Sequence, residues 1–422
     1  MHMEQKRQRE IKLNIKYAVL QAMFWTAAAS GYAFLTQILQ HKGFGETQIG
    51  VINGVKLFAT VIFQVVIGSF CDKYAKKFSL KSIIAVLAAA ACGCTFIFYK
   101  ASLSFFETIL LFVGFGATFT CISPLIDSLS VLYVNHGRNV NYVWGRAAGS
   151  AAWAAACVGF GIFCDYCGVN NLLLLQLLFT GGILIAVLSM DKIIINEEPA
   201  DREERAKAED PGGKTEKKDR VHTAFYLLKY YPKYKWFLIG SAVMFMGYNL
   251  GTTFLINVIE ELGGSNTHYG IAEFVMAISE VPSAWIMLKT RKKLSVDKLM
   301  LCCAVFMTLK NAFATYTGDV NVIIISQSCE MLGFGLFYAG SVFLVDDMLP
   351  AGDVVKGVSL INAATVGIGE GIGSLLCGAF RAKLGLHGLM QVSVFVSACS
   401  VFCMMIMCIL PVTLEQREAE AP

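Results

Sequence analysis

Runs of about twenty or more mostly apolar residues recur along the chain, separated by short polar breaks. Each run is long enough to cross ~30 Å of hydrocarbon as a helix. Twelve spans are expected, near 15–39, 47–71, 79–99, 104–134, 142–165, 170–190, 236–261, 268–289, 296–316, 320–347, 357–381 and 387–411. Short turns join most of them, so they should pack as one all-α membrane bundle. The break after the sixth span is different: residues 191–235 mix both charge signs and contain Pro211-Gly212-Gly213. Such a segment cannot bury enough apolar surface to fold alone and reads as a linker, helical near 222–231. The expected organisation is an N-terminal half over 1–190, a linker over 191–235, a C-terminal half over 236–411 and a tail over 412–422.

An internal repeat supports the two halves. Glu46-Thr47-x-x-Gly50 before span two resembles Asn266-Thr267-x-x-Gly270 before span eight. Further on, Gln64 matches Glu280 and Lys76-Lys77 matches Lys292-Lys293, provided span two holds four extra residues, about one helical turn. Paired six-span halves are a common plan for secondary transporters, with the solute site at their interface.

Charge changes the picture from a membrane bundle to a polar pathway. Asp127, Arg146, Glu280, Lys310, Glu330 and Glu370 sit deep inside apolar spans. Each costs roughly 2.5–3.5 kcal/mol near the bilayer centre on insertion scales and usually faces a bundle interior or a watery cavity. Composition agrees: 56% of the 422 residues are hydrophobic and 16% charged, against about 25% in soluble domains. Lysines and arginines gather at Lys6, Arg7, Arg9 and Lys12, at Lys73, Lys76 and Lys77, and at Arg291, Lys292 and Lys293. All lie on one side if every span crosses, so both termini and the linker should be cytoplasmic in a multi-pass cell-membrane protein. Arg381 and Lys383 fall on the outer side against this trend. The N-terminus is polar and basic, with no cleavable signal peptide evident. The net charge of +4 is small and confined to such loops, which makes nucleic-acid binding a poor reading. The fourteen cysteines lie mostly in apolar spans and read as small hydrophobes. Cys164 and Cys167 form a C-x-x-C whose spacing is read as coincidence, because no metal or redox partners lie nearby. No motif for hydrolysis or phosphate binding is visible, so an enzyme reading finds little support and no cofactor is expected. The partners expected are a small-molecule substrate, protons and the lipid bilayer, with the chain acting as a monomer.

Between spans two and three the chain runs Gly68-Ser-Phe-Cys-Asp72-Lys73-Tyr-Ala-Lys76-Lys77. Gly68 permits close helix approach, and Asp72 at a span end can pair with a basic residue or a helix N-terminus, latching one conformation. This stretch is similar to the G-x-x-x-D-(R/K)-x-G-(R/K)-(R/K) signature of the major facilitator superfamily, with Ala75 in place of the usual glycine. The resemblance implies twelve helices in two pseudo-symmetric six-helix halves.

Span five opens with Tyr142-Val-Trp144-Gly-Arg146 and continues to Gly149-Ser150 and Trp153. Arg146, Ser150 and Trp153 fall at i, i+4 and i+7 on one helix face. A guanidinium, a hydroxyl and an indole in one stripe suit a ligand with hydroxyls and one flat face. Arg146 snorkelling to the interface is the open alternative. Asp127, after Pro124 in span four, is at comparable depth and is expected to pair with Arg146, with the proline kinking span four. Here the chain resembles the lactose-permease-like branch of the superfamily, which groups oligosaccharide:proton symporters with nucleoside and phenylpropionate permeases. That resemblance implies substrate binding by Asp127 and Arg146, with Trp153 stacking on the ring. Tyr248 and Asn249, with Asn257, can complete the cavity or act as interhelical glue.

In the C-terminal half, Glu280 of span eight, Lys310 of span nine and Glu330 of span ten are where the resemblance places proton coupling. The family's span-ten histidine is absent, and Glu330 stands about where it would be. A buried carboxylate can still carry a proton. Glu370, among Gly367, Gly369, Gly371 and Gly373 of span eleven, joins the same scheme or pairs with Lys310. Lys56 in span two is open between a ligand-facing cation, a snorkelling one and a structural pair. The function expected is proton-coupled uptake of a sugar or oligosaccharide, with a nucleoside or aromatic carboxylate as the alternative; sodium coupling or a non-transporting receptor is more remote.

Overall fold

The computed structural model describes residues 2–191, 193 and 223–412. Among the described residues every regular element is helical. Ten helices are long and apolar enough to cross a bilayer, and the pair Arg7–Tyr32 and Leu35–His41, bent by 48°, makes another span. The last of the ten, Ala351–Ile409, has 59 residues. At ~1.5 Å per residue it is far too long for one crossing. It turns back at Gly385, whose φ of 72° lies where a side chain would be strained, and so holds spans eleven and twelve. Twelve crossings result, and the remaining helices fall on the expected runs: Glu46–Lys73, Leu80–Lys100, Phe105–Asn135, Tyr142–Cys167, Val169–Leu188, Pro232–Glu261, Asn266–Thr290, Val296–Tyr316 and Val320–Met348.

Local chemistry sets many of these ends. Ser104 and Glu107 form a capping box at the start of span four, and Asn141 accepts from the Trp144 N–H at the start of span five. Lys16 and Lys81 donate to carbonyls at the end of span six, Ser189 and Met190, where cations also suit the helix dipole. Span four runs unbroken through Pro124. Within the expected linker, a short helix, Ala224–Tyr230, stands where helix was expected near 222–231; Pro211-Gly212-Gly213 and the tail from 413 lie outside the described residues.

The two halves repeat one another in detail. Spans one and seven are each interrupted by a phenylalanine, Phe34 and Phe254, and each resumes as a seven-residue helix, Leu35–His41 and Leu255–Glu261. Both then end at a glycine with positive φ, Gly43 and Gly263. The correspondence carries on without a gap into spans two and eight, where Gly50 matches Gly270.

The buried apolar residues form three clusters. One draws only on residues 13–190 and a second only on 227–407. The third mixes both halves, joining Leu35, Ile38 and Phe160 to Phe254, Ile259 and Tyr269. These lie on the side of the bundle away from the chain ends, called here the far side. The halves therefore share a core on the far side and keep separate cores toward the near side. Two glycine-lined crossings hold the far side shut. A Cβ on Gly270 would fall 2.3 Å from the Cys157 carbonyl oxygen, and one on Gly378 2.4 Å from that of Glu46. Spans five and eight, and spans two and eleven, thus meet backbone to backbone.

Candidate functional site

Where the halves meet, a cavity of about 230 Å³ is lined from both. The N-terminal half supplies Tyr32, Asn53, Lys56 and Trp153; the C-terminal half supplies Tyr248, Asn249, Glu273, Glu370 and Ser374. Close packing around span eleven aims Glu370 into this space. A Cβ on Gly369 would touch the Ala242 carbonyl oxygen at 2.7 Å, and one on Gly371 the Phe58 ring at 2.9 Å. Span eleven is thereby wedged between spans seven and two. Its Ala363–Glu370 segment is a π-helix, a distortion frequent at functional positions.

Lys56 is 5% exposed and lies over the Tyr32 ring, with its Nζ 5.1 Å from the centroid. It does not snorkel to an interface. Glu370 acts on it electrostatically without the close contact of an ion pair. Glu273 is 8% exposed on the opposite half. Lys56, Glu273 and Glu370 thus line one cavity, with no ion pair formed among them.

Beside this cavity lies the buried pair Lys310 and Glu330, 2% and 0% exposed. Lys310 also covers the Tyr248 ring, 4.8 Å from its centroid. Glu330 sits in a short 3₁₀ stretch, Gln327–Met331, that interrupts span ten, and its Oε2 has no hydrogen-bond partner. The expected Lys310–Glu370 pairing does not form; Glu330 is nearer, and Glu370 faces Lys56 instead. Glu280 ends the first helix of span eight, where Val281-Pro282 break it. It is half-buried within electrostatic reach of Glu330 and Lys310, but it does not line the cavity.

The direct Asp127–Arg146 ion pair is also not formed. Asp127 Oδ1 accepts from Gln21 Nε2 at 2.9 Å, whereas the Arg146 guanidinium stacks on Trp25, 4.7 Å from its centroid. Gln21 joins them, because its Oε1 accepts from Trp25 Nε1 at 3.2 Å. An indole and an amide from span one take the contacts that the two charges would otherwise make with each other. A ladder of rings leads from Arg146 to the cavity, with Trp25 6.0 Å from Trp153 and Trp153 6.5 Å from Tyr32. Ser150 is exposed and lies outside the cavity lining. Trp153, Tyr248 and Asn249 do line it, and Asn249 Oδ1 accepts from Ser374 Oγ at 3.0 Å. Asn257 instead bridges to Gln40 across the far side, accepting from its amide at 3.0 Å.

Gly68, Asp72, Lys73, Lys76 and Lys77 line an open near-side depression at the end of span two. The close helix approach expected at Gly68 is not made, since a Cβ there would meet nothing within 4 Å. Asp72 is exposed. Cys164 is buried and Cys167 exposed, both as free thiols.

Sequence reasoning missed Glu273 and Asn53. The signal was present: Glu273 lies two turns before Glu280 in the same apolar run. The repeat, continued without a gap from Gly50 and Gly270, pairs Asn53 with Glu273.

The chain matches the MFS_1 like family over residues 14–410. No curated protein sequence matches it. Among solved structures it is similar to the nucleoside transporter NupG, with a TM-score of 0.76 at 15% identity over 94% of this chain and 100% of that one. A bacterial homologue of the human lysosomal transporter Spinster, inward-facing and unoccupied, gives 0.69 at 14% identity over 94% and 96%. The D-xylose-proton symporter gives 0.64 at 13% over 96% and 98%. At these identities the likeness is one of fold. The chain belongs to the MFS_1-like family and is a major facilitator transporter of twelve helices.

Proposed function

We propose that the protein is a proton-coupled secondary transporter that takes up a sugar-sized neutral solute by alternating access, with both termini cytoplasmic. The observation that carries this reading is the cavity between the halves, with aromatic rings on its walls and amides, hydroxyls and three ionisable groups at its edges. At about 230 Å³ it is smaller than the ~300–1,000 Å³ common for ligand pockets, which suits a single ring better than an oligosaccharide. Trp153, Tyr32 and Tyr248 would take the flat face of the ring. Lys56, Asn53 and Asn249 would donate to its hydroxyls, and Glu273 and Glu370 accept from them. Asp127 and Arg146 would act through Gln21, Trp25 and the ring ladder, with Ser150 facing the entry path.

Lys310, Glu330 and Glu280 form the proposed proton pole next to the solute, with Glu370 shared between the two. The unpartnered Glu330 Oε2 supports this, because a proton on it would loosen the hold on Lys310. The open space at Gly68 and the exposure of Asp72 fit a conformation closed on the far side; engagement of a latch of Gly68, Asp72, Lys73, Lys76 and Lys77 would belong to the opposite one. A nucleoside is the second reading, favoured by the same ring-lined walls, and the structurally similar NupG is a nucleoside transporter.

Uptake into vesicles, with and without an imposed pH gradient, tests the proposal. Monosaccharides, nucleosides and aromatic acids form the panel. One of the first two should accumulate only with the gradient, and Glu273→Gln should weaken its binding at least tenfold while the protein remains folded. Failure of every solute to accumulate would refute the reading.

A further inference from the structure

Among the polar contacts of the far-side closure, one joins the end of span five to the start of span eight. Asp165 ends span five, and its carboxylate reaches across to the first turn of span eight in the other half. Oδ1 accepts from the Asn266 N–H at 3.1 Å and from Asn266 Nδ2 at 2.9 Å. Oδ2 accepts from the Thr267 N–H at 3.0 Å and from Thr267 Oγ1 at 2.6 Å. A carboxylate on helix N-terminal amides is favoured by both hydrogen bonding and the helix dipole.

Span eight already has its own cap. Ser265 Oγ accepts from the Thr267 N–H at 3.2 Å, and the His268 ring accepts from the Ser265 N–H at 3.1 Å in a capping box. The Thr267 N–H therefore has a local acceptor as well, while the Asn266 N–H donates to Asp165, so the carboxylate supplements the local cap and ties the halves together. Asp165 sits beside a close approach of the crossing, where a Cβ on Gly161 would fall 2.4 Å from the Asn266 carbonyl oxygen. Gln37 of span one joins the same point, donating to Asn266 Oδ1 at 3.0 Å. Spans one, five and eight are knotted at one residue, and the far side cannot part without breaking these bonds together.

The related crossing is built differently. At the start of span two, Glu46 and Thr47 stand where Asn266 and Thr267 stand in the repeat, and Gly378 packs on them. Among the described residues, no side-chain hydrogen bond from span eleven reaches that helix start. One crossing is clamped and the other is held by packing alone.

We propose that Asp165 is the clamp that holds the far side of the transporter closed, a positioning residue for the conformational cycle rather than a solute ligand. Hydrogen–deuterium exchange of the full chain in lipid nanodiscs tests this without any solute, so the result is independent of substrate identity. Asp165→Asn should raise amide exchange about tenfold at residues 161–167 and 266–270, the scale of a lost cap. It should raise exchange equally at 35–41 and 255–261, which Asp165 does not touch but which lose their contacts when the halves part. The melting temperature should hold near that of the native chain, because Ser265 and His268 keep the helix capped. Thr267→Val removes the shortest bond from the other partner and should reproduce the pattern more weakly, with the double variant no worse than Asp165→Asn. Unchanged exchange, an increase confined to 266–270, or additive effects of the two substitutions would each overturn the proposal.

Discussion

Lys310 and Glu330 show what a charge buried in a membrane protein requires. Both are essentially inaccessible, and each is the other's ion-pair partner. Removing one partner strands the other, at about 3–5 kcal/mol for a buried pair, whereas replacing both by apolar groups of similar size is often neutral. Lys310→Met should therefore lower the melting temperature in detergent more than Lys310→Met with Glu330→Met does. A single variant as stable as the double would contradict the pairing. That both residues are buried charges was legible in the sequence. Which partner each has was not, because Glu370 lies in an equally apolar run and only the rotation of span eleven turns it toward Lys56. Arg146 teaches the same lesson, since its face of span five was readable, but the indole that meets it comes from Trp25, outside every motif.

Among the helices, the small residues fall into two kinds. Gly270 and Gly378 lie at crossings where any added carbon would strike a backbone oxygen, whereas Gly68 lies in open space. Gly270→Ala should force spans five and eight apart and reduce transport at least tenfold, with cysteine reagents reaching Cys157 more readily. Gly68→Ala should leave the conformation described here unaltered and act only if the near side closes. Equal thiol reactivity at Cys157 in the native and Gly270→Ala proteins would refute the first expectation. The spans themselves were almost wholly predictable, because a bilayer forces every backbone polar group into helical hydrogen bonds and leaves apolar length as the main signal. The breaks at Phe34 and Phe254 were not predictable, because neither residue disfavours helix strongly. Both breaks lie in the core that the two halves share.

The whole molecule has one shared core on the far side and two separate ones toward the chain ends. Each half should therefore fold as a unit and dock through the far-side cluster. Two fragments divided between residues 200 and 215, produced together, should co-purify and recover solute uptake. Fragments that each express but never associate would count against the two-half organisation.

The sequence by itself determined twelve crossings, the near-side motif and the presence of costly charges in both halves. Each follows from composition along one dimension: apolar length, charge asymmetry and a repeat. Tertiary structure decided which charges share a cavity, that Glu273 and Lys56 belong to it, that Asp127 and Arg146 meet only through span one, and which side is closed. Those depend on how each helix is rotated and tilted against its neighbours, and side-chain volumes across the whole interface set that geometry rather than any local run of residues.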